Sequence, residues 1–429
     1  MRERLRHYWQ FVQSSLWFVP SLMCITGVAL AVALLVWGTG LIEDSASYWI
    51  LHTGDVDNAR ELMSALLSGM ITMSSLVISI TMVVLTLAAG QIGPRLIRNF
   101  IQDRVTQTVL GFFLADILYL LVVFRSVDNG SDAVPHLAVT VGTVLTAASM
   151  LVLLFYVHRL ARSIIYDNFI QSVAVELRSA IRHLLPEEQD YRPPSYELGE
   201  DHGWIDMGRD GYIQSVNHKA LVDAACKADA VIRLHVRPGI FVLSRGEHMA
   251  IYPAAARTDE VCRQVRDAFI IGSERVPTQD IEFGFRQLVE IAARALSPGL
   301  NDVFTAVAVI DNISAGLTDI FARGLQPSTR CDRNGALRLV LDVADYSSIV
   351  GEAFDQIRHS GRGNPAILLR LADAISRLAP CISLAAQRRP VLEQLDMILD
   401  AAERNIATPR DLAMIRAKCQ EARNRLVQG

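Results

Sequence analysis

Seven polar side chains stand inside long apolar stretches, where each needs a partner other than bulk water. Ser64, Ser68, Thr72, Ser75, Ser79 and Thr86 fall in a run, residues 62–89, that carries no charge. At about 100° per residue these hydroxyls lie within about 80° of one another on one helix face; Ser74 and Thr81 lie off it. Such a row either lines a water-filled path for ions or small solutes, or joins two helices at close range, since small residues let membrane helices approach. Both readings stay open. Asp116 sits mid-way along the next apolar run, where a carboxylate costs about 2.5–3.5 kcal/mol on insertion scales. It is either an ion- or proton-handling group or a neutral acid bonding two helices. Its expected partners are the hydroxyl row or the series Thr140, Thr143, Thr146 and Ser149. The row ends at Gln91-Ile92-Gly93-Pro94-Arg95, where Pro94 disfavours a helical Gly93 and breaks or kinks the helix. Arg95, Arg98 and Arg104 then form a basic loop, and the row, Asp116 and this loop are the candidate pore or bundle interior and its mouth.

A second candidate site lies far down the chain. Ile281 to Leu296 has apolar residues at helical spacing and runs into Ser297-Pro298-Gly299-Leu300-Asn301-Asp302. Pro298-Gly299 ends that helix, and Asn301 or Asp302 suits the cap of the next. Cap side chains and free amides also receive anions, but the satisfied cap is the expected role. Arg286, Glu290, Arg294 and Asp302 are charges that a fold could bring together; around helical turns such charges ordinarily form salt bridges.

Enzymatic motifs are missing: there is no phosphate loop, His-Glu-x-x-His helix or Gly-x-Ser-x-Gly elbow, so neither catalysis nor a cofactor is expected. His202, His218, His235 and His248 lack metal-ligand spacing and read as isolated surface or packed histidines. The six cysteines are far apart and read as small apolar residues.

Four apolar runs must position the first site: about Leu16–Leu41, residues 62–89, Thr108–Phe124 and Leu137–Tyr156. The first is too long for a signal peptide core, which spans about 7–15 residues. Lys and Arg gather at the N-terminus, in the 91–106 loop and at 158–165, while the other two loops are poor in them. By the positive-inside rule both termini are cytoplasmic. The sequence therefore reads as a polytopic α-helical membrane protein, with four transmembrane helices followed by a cytoplasmic α+β region. Residues 1–157 form the four-helix transmembrane domain, 158–197 a connecting helix and linker, 198–256 a small β-rich unit, and 257–429 a mainly helical domain. A hydrophobic content of 51% and a mean hydropathy of +0.28 suit a protein part in lipid and part in water. A net charge of −4 gives no basis for bulk nucleic-acid binding.

Gln91-Ile92-Gly93-Pro94-Arg95, Arg237-Pro238-Gly239, Phe283-Gly284-Phe285-Arg286-Gln287 and Ala295 to Asp302 with Thr305-Ala306 occur in an order that resembles the bacterial predicted-membrane-protein family called domain of unknown function 2254. The resemblance spans nearly the whole chain and implies N-terminal spans with a soluble C-terminal region. It carries no activity. Val303 stands where the family is associated with proline.

These features favour an oligomeric channel or transporter for ions or small solutes in the bacterial inner membrane, with a cytoplasmic regulatory domain. The order of membrane helices before a small cytoplasmic β domain is similar to that of small-conductance mechanosensitive channels, a likeness of architecture alone. The alternative is a membrane-anchored scaffold or sensor whose soluble half binds a protein or small ligand. The expected partners are the lipid bilayer and further copies of the chain.

Overall fold

The computed structural model describes residues 17–41, 56–92, 103–128, 134–163, 166–186 and 196–428. Arg95, Arg98, the basic N-terminus and the 187–195 linker lie outside the described residues. The chain forms two compact units, Met1–Ile165 and Tyr166–Gly429.

The first unit contains α1 (Phe18–Leu41), α2 (Val56–Ile92), α3 (Arg104–Asp128) and α4 (His136–Ser163). All four are long and apolar enough to cross a membrane. α3 is the inner helix; it packs on the other three and buries Val109, Phe113, Leu120 and Val123. Glycines set the closest approach. A Cβ on Gly27 of α1 would meet the Ala115 carbonyl oxygen at 2.7 Å, and one on Gly111 of α3 would meet Pro20 Cα at 2.9 Å. Small residues let these two backbones come together.

α2 joins the bundle through a heptad seam. Met63, Met70, Val77 and Val84 are buried at seven-residue spacing, with Ala59, Leu66, Met73 and Ile80 interleaved. The helix ends at Ile92, two residues before Pro94. At the same end of the bundle, Asp103 accepts from the Thr106 amide and hydroxyl at 3.2 and 2.9 Å and from Arg159 at 2.9 Å. This links the start of α3 to the end of α4.

The second unit opens with α5 (Tyr166–Leu184). Eight strands follow among helices: β1 (Gly203–Ile205), β2 (Gly211–Val216), β3 (Val231–Leu234), β4 (Phe241–Val242), β5 (Met249–Tyr252), β6 (Phe269–Gly272), β7 (Thr329–Cys331) and β8 (Leu337–Val340). They form two sheets, β1-β5-β3-β8-β7 and β4-β2-β6. All pairs are antiparallel except β3 and β8, which run parallel with Ile232 opposite Leu339. Helices α6 (His218–Lys227) and α7 (Asp259–Asp267) help bury a core that includes Ile205, Leu221, Ile232, Val265 and Leu339. The β-rich part therefore does not close at residue 256. With β5 on one side of β3, its other edge still needs hydrogen-bond partners, and β8 supplies them.

The helical part contains α8 (Ile281–Ala295), α9 (Val303–Arg323), α10 (Tyr346–Ser360), α11 (Pro365–Leu378), α12 (Ala385–Asn405) and α13 (Pro409–Gln428). α5 is more than a connector: it packs on α8 and α9. Its Leu177 fills two notches, since a Cβ on Gly284 would meet Leu177 Cδ1 at 2.8 Å and one on Gly316 would meet Leu177 Cδ2 at 3.2 Å. α9 is a fifth helix long and apolar enough to cross a membrane, yet it lies among α5, α8 and α11 with half of its apolar window buried. α12 starts at Ala385, where Gln387 accepts from the Ser383 and Leu384 amides at 3.0 and 3.1 Å.

Candidate functional site

The heptad seam of α2 decides where its hydroxyls go. Ser64, Ser68, Thr72, Ser75, Ser79 and Thr86 lie about 180° around the helix from Met63, Met70 and Val77, and all six are exposed. They are not in the interior of this bundle, because the apolar seam has taken that face and closes it with Met, Val and Ile side chains. Exposed Ile71 and Ile78 flank the row on one side and Leu76 and Val83 on the other. Thr72 and Thr86 donate to the carbonyls of Ser68 and Met82 at 2.9 and 2.8 Å, so these two hydroxyls are satisfied within their own helix. Thr81, off the row, reaches inward to the Tyr156 hydroxyl at 2.7 Å.

Asp116 does lie in the interior, 2% exposed. Its Oδ2 accepts from Ser149 at 2.8 Å, which selects α4 over the α2 hydroxyls as its partner. Its Oδ1 has no hydrogen-bond partner, and no cationic side chain pairs with it among the described residues. One helical turn away, Tyr119 donates to the Ala138 carbonyl at 2.8 Å, a second polar tie between α3 and α4. Thr146 is buried and bonded to the Gly142 carbonyl at 3.0 Å, while Thr143 is exposed. Arg104 opens α3 as an exposed residue.

In the second unit, Asp302 is the cap of α9. Its Oδ1 accepts from the Thr305 amide at 3.1 Å and its Oδ2 from the Thr305 hydroxyl at 2.6 Å. Asn301 instead takes a left-handed backbone, φ 47°, which turns the chain between the helices. The Asn301 amide donates to the Ser297 carbonyl at 2.9 Å and the Asp302 amide to Ala295 at 2.7 Å. Pro298 and Gly299 are exposed and Ser297 is half-buried. The Thr305 hydroxyl, above all, holds the Asp302 carboxyl below the usual carboxylate range. Val303 begins α9 directly after the cap, a first position that proline also suits.

Arg286 and Asp302 do not meet at that turn. Arg286 donates to both oxygens of Glu352 on α10, at 2.6 and 2.8 Å, and Asp302 is taken by Thr305. Gln287 is half-buried beside it. What does come together is the turn Arg237-Pro238-Gly239 and the start of α8. Arg237 Nη2 donates to both Glu282 oxygens at 3.1 Å and Nη1 to Asp342 at 3.4 Å. Burial works against this charge, but the two carboxylates outweigh it and keep the Arg237 pKa above its ordinary value. Gly239 has φ 90° and is pressed on Asp280, which caps α8 and is paired with Arg275. Both stretches stood out in the sequence, but nothing in their spacing tells that they meet.

A cavity of about 180 Å3 lies at this junction. Val216, Leu234, Val236 and Leu341 line it with Arg237, Glu282, His218 and Arg330. The histidines, by contrast, make no common centre. His202 meets Trp204 edge-to-face at 5.0 Å and His235 lies tilted against the same ring at 5.1 Å, while His248 accepts from the Met207 amide at 3.2 Å.

Comparison with known proteins adds kinship. An uncharacterized protein of Mycobacterium bovis and one of Mycobacterium tuberculosis are each 28% identical over 430 residues, covering 97% of this chain and 81% of the relative. No solved structure matches at a significant level. The profile described as predicted membrane protein (DUF2254) matches residues 13–377. The chain belongs to this family of predicted membrane proteins, domain of unknown function 2254.

Proposed function

We propose that the protein is a four-span subunit of a homo-oligomer in the bacterial inner membrane, with both termini and residues 158–429 in the cytoplasm, and that ions or small solutes pass between copies along α2. The observation that carries this reading is the outward hydroxyl face. Met63, Phe113, Tyr119 and Tyr156 fill the interior of one copy around the isolated Asp116–Ser149 pair, whereas copies meeting along Ser64 to Thr86 would place a row of hydroxyls at their shared axis. α9 is packed among α5, α8 and α11 and is not one of the four spans.

The test is ion flux in liposomes, recorded with the oligomeric mass of the same preparation. Cysteines at Ser68, Ser75 and Ser79 are expected to react with small aqueous reagents, and cysteines at Leu66 and Val77 are not. Ser75→Leu is expected to block flux in a folded protein. A monomeric protein without flux would exclude this reading.

A second reading, a membrane-anchored sensor, is favoured by one observation: the cavity of the second unit joins aliphatic walls to a few charged groups, the usual make-up of a small-molecule site. A protein that binds a ligand there and conducts nothing would support it.

A further inference from the structure

The cavity at the Arg237 turn measures about 180 Å3. Its charged groups are not equivalent. Arg237 is matched by Glu282 and Asp342, and Asp280 by Arg275. Arg330 is not matched. Its Nη1 donates to the carbonyls of Pro327 and Thr329 at 3.1 and 3.2 Å, and no carboxylate among the described residues bonds it. It is half-buried, and His218 on the same wall, whose pKa is lowered by burial and then by the Arg330 charge, meets a ligand as a neutral ring N–H. A guanidinium drawn out of water without a counter-charge is costly unless something negative joins it.

The surroundings narrow what that is. A planar fork suits a carboxylate better than a point charge does. Glu282 and Asp342 on the same wall disfavour a second negative charge on the ligand. The remaining wall, with Leu234, Leu325 and Leu341, suits a short hydrocarbon tail. We propose that this cavity binds a small organic monoanion, a carboxylate on a short aliphatic chain, held by Arg330 and His218 with its tail among the leucines. This deepens the sensor reading and rests on it for a biological role. Binding is measured without flux, so failure of one is distinguishable from failure of the other.

The full chain, purified in detergent, is dialysed to equilibrium against labelled pentanoate. Saturable binding is expected, resisting competition by pentanol, pentylamine and inorganic phosphate. Arg330→Gln should weaken it about tenfold or more, and His218→Gln less. Absence of saturable binding overturns the proposal. So does competition by pentanol or phosphate as strong as that of unlabelled pentanoate, which is read on the unaltered protein. If circular dichroism shows Arg330→Gln to be unfolded, Arg330→Lys, which keeps the charge and loses the fork, is expected to weaken binding measurably. Unchanged binding in a folded Arg330 variant also overturns it.

Discussion

In the first unit, Thr72, Thr86, Thr108, Thr140, Thr143 and Thr146 each donate to the carbonyl four residues back along their own helix. In the second, Asp280, Asp302, Asp345 and Asn364 receive the amides that open helices, and Arg237, Arg275 and Arg286 reach other segments. The first habit settles a polar group within one helix, so it says nothing about which helices neighbour which. The second habit fixes neighbours. Between α1 and α3, and along the buried face of α2, that information sits in shape: the Gly27 and Gly111 notches and the Met63-to-Val84 seam, while α3 and α4 are also tied through Asp103, Asp116 and Tyr119. α9 shows both habits, capped by Asp302 yet with Ser314 and Thr318 bonded back to their own helix.

The largest effect is expected where packing is tightest in the second unit. Leu177→Ala should cost about 2–5 kcal/mol, because the two glycine notches that receive it would be left empty. Hydrogen exchange in the full chain should show α5, α8 and α9 loosening together while α1–α4 stay protected. In the bundle, Gly27→Val should cost about 1–3 kcal/mol by forcing α1 off α3, read as a lowered unfolding temperature in detergent. If polar bonds rather than shape held these two helices, this change would be mild.

Asp302→Ala should cost about 0.5–2 kcal/mol through loss of the cap. The sign of its pH dependence follows from a folded-state pKa held below the unfolded one. The carboxylate contribution is complete above the unfolded value, about 3.9, and is lost as pH falls through the lower folded value. Asp302→Asn keeps a capping oxygen, so it should preserve neutral-pH stability and flatten that acid limb.

Asp116 sharpens the comparison from the other side, as a bundle residue that does fix a neighbour. A double-mutant cycle of Asp116→Asn with Ser149→Ala should give a coupling of about 0.6 kcal/mol, the usual size for interhelical bonds. Flux with unchanged pH dependence in Asp116→Asn would leave it a structural acid. Thr72→Val should be smallest, within about 0.5 kcal/mol, since only a bond to its own helix is removed.

Periodicity made much of the fold legible. The apolar run begun near Leu16 corresponds to α1, and the β-rich stretch expected from residue 198 holds β1 to β5. Capping preference alone leaves Asn301 and Asp302 equivalent, and only the backbone turn at Asn301 separates them. The seven-residue spacing of Met63, Met70, Val77 and Val84 encodes the orientation of α2, on the face opposite the hydroxyl row. Hydroxyls inside a lipid-facing helix signal an interior only if they lack a bond of their own, and Thr72 and Thr86 have one. The parallel pairing of β3 with β8 and the meeting of Arg237 with Glu282 were not legible. Both depend on long-range closure, which no local pattern encodes.

The parallel β3–β8 ladder has a consequence for synthesis. On a ribosome, Val231–Leu234 emerges early and gains β5 soon after, but its remaining edge waits until Leu339 and Val340 have been made. Through that interval the nascent sheet carries an open strand of Val, Ile and Leu, a template for pairing with another chain. Truncations ending before β8 should therefore aggregate, whereas those ending after it should stay dispersed.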